Sequence, residues 1–320
     1  MIPIDADLLL EILMTHRQHL RVWIPDDVLT RSIQLLTEDR RRLVDDRTAL
    51  TNQLTAALKM YFPQGLEWFG ELHTVRACAF LQRWPSLQQL KQATASSVRK
   101  FYKAQGYRGE DKLELLMANI KKAQPLTQDG AVVLAGSMKV QALVTQISLL
   151  TESIQRYDQH IASLFDQHDD STLFSSFPGA GASLAPRLLA AFGSDRGRFE
   201  FAAEMQQLSG IAPVTEKSGT GIWIHWRLAC SKFLRQTFQE FAGCSILQSD
   251  WARACYHQLR KRGKSHHAAL RALAFKWIRI IFRCWKTRTP YDDTVYCKSL
   301  KLRRSPLAAE LPADEKLALT

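Results

Sequence analysis

The feature that most constrains the fold is a long stretch of apolar residues at helical spacing. Between Val28 and Leu58, apolar side chains recur every three, four or seven residues, with charged residues such as Arg40 and Arg41 between them. This spacing is typical of an amphipathic helix of the coiled-coil type. Few segments alternate in the way that half-buried strands do, so the chain is predicted to be mainly α-helical.

A second long helical pattern runs from Ala131 to about Phe165. The block between the two patterns contains Trp84-Pro85-Ser86, which is typical of a helix start, and a loop that ends at Gly109. Two long helices that flank a small helical insert predict an antiparallel coiled-coil arm. The seam of such an arm needs a partner, so a homo-oligomer is expected. The predicted domains are an N-terminal remnant at 1–24, the arm at 25–170, a C-terminal helical domain at 171–304 and a disordered tail at 305–320.

Positive charge is concentrated at the C-terminal end of the chain. The formal net charge is +12, and residues 201–304 hold 19 Lys and Arg against 6 Asp and Glu. The rest of the chain is therefore close to neutral. A neutral scaffold joined to a basic module favours a polyanionic partner, namely nucleic acid.

The cysteines and the hydropathy pattern exclude several classes of protein. The six cysteines are dispersed without a CxxC pair, which indicates neither a zinc site nor a disulfide framework. No N-terminal stretch has the pattern of a signal peptide, and Arg and Lys residues interrupt the most apolar late run, Ala268 to Trp285. The sequence therefore predicts a cytoplasmic protein that has no membrane partner.

A glycine turn opens the C-terminal domain. Phe177-Pro178-Gly179-Ala180-Gly181 precedes an apolar run and indicates a tight turn that leads into a helix. The backbone N–H groups of Gly179 and Gly181 are candidates for holding a phosphate oxygen at the start of that helix. The spacing resembles the hairpin of helix-hairpin-helix DNA-binding units. An ordinary glycine turn between two core helices explains the motif equally well.

A polar loop rich in glycine and hydroxyl groups is predicted from Leu208 to Gly221. A serine in such a loop can act as a nucleophile when a base or a metal activates it. Isolated Ser-Gly pairs are more often simple turns, and the spacing alone favours the turn.

The last helical patterns combine apolar stripes with basic residues. Either a solvated face or phosphate contacts explain such residues, and a basic turn beside them favours phosphate contacts. Three tryptophans, Trp223, Trp226 and Trp251, are candidates for stacking on bases, with burial in the core as the alternative. The basic candidates are Arg260, Lys261, Arg262 and Lys264 in the turn, and Lys276, Arg279, Arg283 and Lys286 on the helix that follows.

The order of motifs resembles a known family. Phe177 to Gly181 is followed by Arg198-Phe199, then by Leu208-Ser209-Gly210-Ile211-Ala212-Pro213, and five residues after that proline by Ser218-Gly219. This series is similar to the C-terminal domain of bacterial transposases of the insertion-sequence 110 family (the 116/110/902 group). The predicted arm is also what that family carries between its two conserved domains.

The resemblance implies a DNA recombinase with two catalytic parts. In the family, a ribonuclease-H-like domain binds magnesium through four acidic residues, and a C-terminal serine attacks a DNA phosphodiester to form a covalent protein–DNA intermediate. A structured guide RNA is the expected second partner beside the DNA of the element ends and target. Ser218 stands at the position of the family serine, and the adjacent Lys217 is a candidate phosphate contact.

The first residues depart from the family pattern. The acidic domain ends in an Asp-x-x-Asp-Ala motif, of which Asp5-Ala6 matches the end while Ile2 replaces the first aspartate. Asp5 is therefore the single metal ligand expected, and the ribonuclease-H-like domain is predicted to be absent. A lone carboxylate does not hold a catalytic magnesium pair. Whether the chain is an enzyme stays open, with a remnant that only binds nucleic acid, or an unrelated helical scaffold that binds it, as the alternatives.

Overall fold

The computed structural model describes residues 3–20, 22 and 24–311. Helices dominate them, and the two strands form a single antiparallel hairpin, so the predicted mainly α fold is confirmed. The chain divides into two compact units, which are named here the arm unit (Leu35–Gln167) and the C-terminal unit (the residues up to Gln34 together with those from His168 onward). The elements are α1 Pro3–His16, a 3-10 turn Arg17–His19, α2 Val28–Tyr61, α3 Gln64–Trp68, α4 Val75–Arg83, α5 Leu87–Gln92, α6 Ala95–Ala104, α7 Glu110–Lys122, α8 Gly130–Asp166, α9 Ser171–Ser175, α10 Gly181–Phe192, α11 Ala202–Leu208, β1 Val214–Ser218, β2 Gly221–His225, α12 Lys232–Gln248, α13 Asp250–Lys261, α14 His266–Thr287, α15 Asp293–Leu302 and a 3-10 turn Pro306–Glu310.

The arm unit is framed by α2 and α8, which run in opposite directions. Arg40 of α2 donates to Asp158 of α8, with its Nε atom 2.5 Å from Oδ1. At the other end of the pair, the ring of Tyr61 lies against Gly136, where a Cβ atom would stand 2.6 Å from the ring. The numbering rises along one helix as it falls along the other, so the predicted antiparallel pair of long helices is confirmed. The supercoil of a coiled coil stays a prediction.

The insert between the two long helices builds the core of the arm unit. Its short helices begin at hydroxyl caps: the side chains of Thr74, Ser86 and Thr94 accept hydrogen bonds from the first turns of α4, α5 and α6. Helix α8 is long and apolar enough to cross a membrane by composition alone. Its residues such as Val140 and Ile147 instead belong to the packed core of this unit, so this helix does not indicate a membrane protein.

The C-terminal unit packs around a group of fully buried aromatic side chains. The ring of Trp277 on α14 lies 4.6 Å from that of Trp251 and 5.1 Å from that of Phe241, between centroids. The Trp251 indole donates to the Tyr291 hydroxyl at 2.7 Å, and this hydroxyl donates to Asp293 at 2.8 Å. Burial and the nearby Asp293 raise the pKa of Tyr291. The polar atoms of this core are therefore paired, as stable burial requires.

Residues that precede α2 are fastened to the rest of the C-terminal unit by hydrogen bonds. Asp26 Oδ1 accepts from the backbone N–H of Ser194 at 3.1 Å, and Asp27 Oδ2 accepts from the Ser194 hydroxyl at 2.6 Å. Asp27 also caps α2 by accepting from the Thr30 N–H at 2.9 Å. Burial opposes the charge on Asp27, but the hydrogen bonds from Ser194 and Thr30 outweigh it and lower its pKa to about 2.

The structure differs from the sequence prediction at two places. The segment predicted as a loop before Gly221 forms strand β1, which pairs with β2. The predicted disordered tail begins with the 3-10 turn Pro306–Glu310, in which Leu307 is buried. The predicted tail residues 312–320, and the family position Ile2, lie outside the described residues.

Candidate functional site

Ser218 is the last residue of β1, at the tip of the hairpin. It pairs with Gly221 across the two-residue turn Gly219-Thr220, in which Gly219 has φ +58. A positive φ at this position suits glycine, and two-residue turns of this kind match the twist of antiparallel strands. The segment that follows Pro213 therefore forms the first strand of an antiparallel hairpin and presents a serine at its tip.

The register of the hairpin decides which side chains share a face with Ser218. Because paired residues of an antiparallel hairpin lie on the same face and alternate along each strand, Ser218 shares its face with Glu216, Trp223 and His225. His225 and Glu216 lie 3.3 Å apart, between Nε2 and Oε2. The Trp223 ring folds back over Gly221, opposite Ser218, where a Cβ atom would stand 2.8 Å from the ring. An aromatic surface therefore lies beside the serine.

Ser218 is exposed, and no described side chain forms a hydrogen bond with its hydroxyl. Asp5, the predicted metal ligand, lies in the first turn of α1 and is exposed. In the part of the chain that the structure describes, no group of three or more His, Cys, Asp or Glu residues could hold a metal ion. The described residues therefore do not form a magnesium site by themselves, and the role of Asp5 stays a prediction.

The two glycines of the predicted phosphate-binding turn have different surroundings. The N–H of Gly179 donates to Gln248 Oε1 at 2.8 Å, and its φ is +85. A Cβ atom on Gly179 would stand 2.7 Å from the backbone of Cys244, so this glycine allows α12 to approach closely. Gly181 begins α10 with open space around it. The Gly179 N–H thus has an internal partner, whereas the exposed first turn of α10 remains open to an anion.

Apart from Lys217 on β1, the basic candidates lie on the surface of α13, α14 and the turn between them. Some are occupied by internal contacts: Arg260 donates to the Lys264 carbonyl at 2.8 Å, and Lys261 lies 3.5 Å from Glu310. Lys286 donates to the carbonyl oxygens of Arg196 and Phe199, so this lysine holds a loop in place. The other candidates carry no ion pair with a described residue; they are Lys217, Arg262, Lys264, Lys276, Arg279 and Arg283.

The three candidate tryptophans for base stacking separate into two groups. Trp251 is fully buried in the core, which confirms the alternative interpretation for that residue. Trp223 and Trp226 are 52% and 50% exposed, on and immediately after the hairpin. Both are therefore available to a partner.

Arginines at the base of the hairpin were not predicted from the sequence. The Arg271 guanidinium lies over the Trp226 ring, 3.1 Å from its centroid. Arg235 donates to the Arg227 carbonyl at 2.6 Å and also to the Cys230 thiol. Arg235 and Arg271 lie far apart in the sequence. The one sequence signal that they share is the position of an arginine among apolar residues near the start of a helix.

Most of the chain is similar in sequence to known proteins. Residues 171–258 match the model of the transposase family IS116/IS110/IS902, and residues 3–63 match a second model, of IS110 DEDD transposases. The "Mini-circle putative transposase for IS117" of Streptomyces coelicolor is 28% identical, over 91% of this chain and 72% of the relative. Both family models support one family, the IS116/IS110/IS902 transposases.

Other relatives also come from insertion elements. An uncharacterized protein of insertion element IS110 from Streptomyces coelicolor is 24% identical over 97% of this chain and 74% of the relative. An uncharacterized protein of insertion element IS900 from Mycobacterium paratuberculosis is 26% identical over 83% of this chain and 66% of the relative. For an IS116/IS110/IS902 transposase, DNA is the implied partner. The predicted absence of a ribonuclease-H-like domain is not confirmed, because the second model begins to match at residue 3.

Proposed function

We propose that this chain recombines DNA during the transposition of an insertion sequence, with Ser218 as the nucleophile. One observation carries the proposal: within the segment that matches the transposase model, an antiparallel hairpin presents an exposed serine at its tip, with Lys217 adjacent in sequence. The family models and the relatives support a transposase, and the exposure of Ser218 at the tip of the hairpin is compatible with the proposed serine chemistry.

The proposed step is a phosphoryl transfer that conserves the phosphodiester bond. The Ser218 hydroxyl oxygen forms a bond to phosphorus, and the bond from phosphorus to one deoxyribose oxygen breaks. The serine loses its proton, and the departing sugar hydroxyl gains one. A serine hydroxyl is a weak nucleophile at its ordinary pKa, and no described side chain accepts its proton directly. Its activation therefore depends on groups brought by the nucleic acid or by other parts of the assembly.

We also propose that nucleic acid binds along the basic surface of the C-terminal unit. The unpaired cations there, such as Arg262, Arg279 and Arg283, are exposed or partly exposed. Such residues bind backbone phosphates without reading the sequence. The partners proposed on this surface are the DNA of the element ends and target, together with a guide RNA, in the cytoplasm. The antiparallel pair α2 and α8 is the proposed route to a homo-oligomer.

The metal of the family chemistry is magnesium, which supplies charge stabilisation at the phosphate when it is bound. The described residues do not provide a ligand set for it. The proposal for this chain is accordingly limited to Ser218 and to the surfaces that bind the nucleic acid.

The test is a search for a covalent protein–DNA adduct. The purified full chain is incubated with magnesium, labelled element-end DNA and its guide RNA, and the products are separated under denaturing conditions. We expect an adduct with the unchanged chain that disappears in Ser218→Ala. The matched control is Thr220→Ala, which removes an exposed hydroxyl two residues away and should retain the adduct.

The other outcomes contradict the serine proposal in different ways. An adduct that persists in Ser218→Ala would assign the chemistry to another nucleophile. Salt-sensitive DNA binding without any adduct would indicate a protein that only binds nucleic acid. Absence of salt-sensitive binding would contradict the nucleic-acid interface as well, because neutralised phosphates must produce a salt dependence.

A further inference from the structure

At the base of the hairpin, two arginines lie at the C-terminal end of α11. Gly210, just beyond α11, borders Arg235: a Cβ atom on this glycine would stand 3.1 Å from Arg235 Nη2. One turn earlier, the Gln206 side chain donates to the Phe275 carbonyl of α14 at 2.8 Å, and Arg271 lies one turn before Phe275. Arg235 therefore borders Gly210, and Arg271 belongs to the helix that is hydrogen-bonded to α11.

These two guanidiniums have no carboxylate partner among residues 3–20, 22 and 24–311. The Nε atoms of Arg235 and Arg271 are buried, and neither forms a hydrogen bond. Burial and the charge of Arg235 lower the pKa of Arg271. Two neighbouring cations that are partly withdrawn from water cost free energy unless an anion compensates them. Elsewhere in the same unit, by contrast, Arg187 and Arg196 each have a carboxylate within 2.6 Å.

An aromatic ring completes the arrangement. The central carbon of the Arg271 guanidinium lies over the Trp226 ring, 3.1 Å from its centroid, and half of the Trp226 surface is exposed. A guanidinium fixed on an aromatic ring presents its remaining donors in a defined direction, and the free part of the ring can stack on a base. Charge and stacking surface therefore occur together, as a nucleotide requires.

We infer that Arg235, Arg271 and Trp226 form a binding site for one nucleotide of a nucleic-acid strand, with the two arginines on the phosphodiester and the tryptophan on the base. The inference deepens the proposed function and depends on it for the identity of the polymer. Strand β1 has five residues, so at about 3.4 Å per residue the site lies roughly 14 Å from Ser218. A nucleic-acid strand that is bound at the base of the hairpin can therefore extend to the tip of the hairpin.

The test measures the affinity and salt dependence of the full chain for short labelled strands. Fluorescence anisotropy is recorded with single-stranded DNA and with RNA of the same sequence, over a series of salt concentrations. Arg235→Gln and Arg271→Gln are each expected to weaken binding about tenfold and to reduce the salt slope by about one. Arg31→Gln is the matched control: it removes an exposed arginine of α2 in the same unit, outside the site, and should change neither quantity.

A second variant separates loss of the site from loss of the fold. Arg271→Lys retains the positive charge but not the planar stacking on Trp226. It is expected to keep the salt slope while the affinity falls less than in Arg271→Gln. Thermal unfolding by circular dichroism of each variant confirms that the unit is intact.

The two nucleic acids distinguish the source of the phosphodiester. An equal loss with DNA and RNA indicates a site for the shared backbone, and a loss with only one of them assigns the site to that polymer. Binding by Arg235→Gln and Arg271→Gln that equals the unchanged chain with both strands would overturn the inference. If Ser218→Ala still abolishes the adduct in that case, the proposed function stands without this site.

Discussion

Trp277 and Trp223 belong to the same unit, yet the first is fully buried and the second is half-exposed. Trp277 lies on α14 among other rings, and its indole donates to Ser245 at 2.8 Å. Trp223 lies on a hairpin whose Ile222 and Ile224 are also exposed. The helical body buries its large aromatic rings and pairs the polar atoms of Trp251 and Trp277, whereas the apolar side chains of the hairpin are exposed. This difference indicates that the helical body carries the stability, and it agrees with the proposed role of the hairpin in contacting a partner.

The largest effect expected from this comparison is on the free energy of unfolding. Trp277→Ala removes a ring packed on Trp251 and Phe241 and should destabilise the protein by about 3–5 kcal/mol. Trp223→Ala, the matched control on the hairpin, should change stability by less than about 0.5 kcal/mol. Urea unfolding followed by circular dichroism measures both. Equal losses would contradict the division of roles.

The two glycines of the turn before α10 provide a second test. Gly179→Ala places a Cβ atom 2.7 Å from the Cys244 backbone at a φ of +85, and should cost about 2–3 kcal/mol. Gly181→Ala places its Cβ atom in open space, so only the positive φ of +53 opposes it, and it should cost about 1 kcal/mol. Thermal unfolding of the two variants gives the comparison. A larger loss for Gly181→Ala would show that the packing of Gly179 on α12 is unimportant.

The acid dependence of stability tests the pairing of polar groups in the helical body. The pKa of Asp27 is lowered from 3.8 to about 2, so its stabilisation is present above about pH 4 and is lost as the pH falls towards 2. Asp27→Asn should therefore cost about 1 kcal/mol at neutral pH, after allowance for solvent screening of this exposed side chain. The difference in unfolding free energy between this variant and the unchanged chain should vanish as the pH approaches about 2. A difference independent of pH would exclude the carboxylate as its cause.

The smallest effect is expected on the outer side of the hairpin. Ile224→Thr removes an apolar surface that is 71% exposed and keeps a β-branched residue in the strand. Unfolding free energy should change by less than about 0.5 kcal/mol. The Ser218 adduct should also persist, because Ile224 lies on the opposite face of the hairpin. Loss of the adduct in this variant would mean that both faces contact the substrate.

The sequence predicted the helical body because local signals and burial agree there. Long apolar spacing marked α2 and α8, and Ser86 caps α5 as the Trp-Pro-Ser motif predicted. The segment that forms β1 was predicted as part of a loop because it is rich in glycine and hydroxyl groups. In β2, Ile222, Trp223 and Ile224 are consecutive apolar residues that are all exposed, so the alternation that marks a half-buried strand is missing.

The chemistry of the site was only partly predictable for a related reason. The motif spacing led to Ser218 through a family resemblance. The hydrogen-bond partners of other candidates come from distant parts of the chain. The Gly179 N–H donates to Gln248, and the Lys286 ammonium donates to the carbonyls of Arg196 and Phe199. Arg235 and Arg271 meet on separate helices. Contacts between residues so far apart in sequence follow from tertiary packing, which a single sequence does not reveal.

The pairing of Ser218 with Gly221 makes the hairpin sensitive to the parity of its length. Because side chains alternate between faces, one residue inserted between Pro213 and Ser218 or deleted there, with the base of the hairpin held in place, would move the serine to the face of Ile222 and Ile224. Two inserted residues would instead return it to its present face about 7 Å further from the helices, and two deleted residues would return it there about 7 Å nearer to them. If the serine is to keep its present face, the length of this segment can therefore change only by an even number of residues. The distance from the arginines to the serine then changes in steps of two residues.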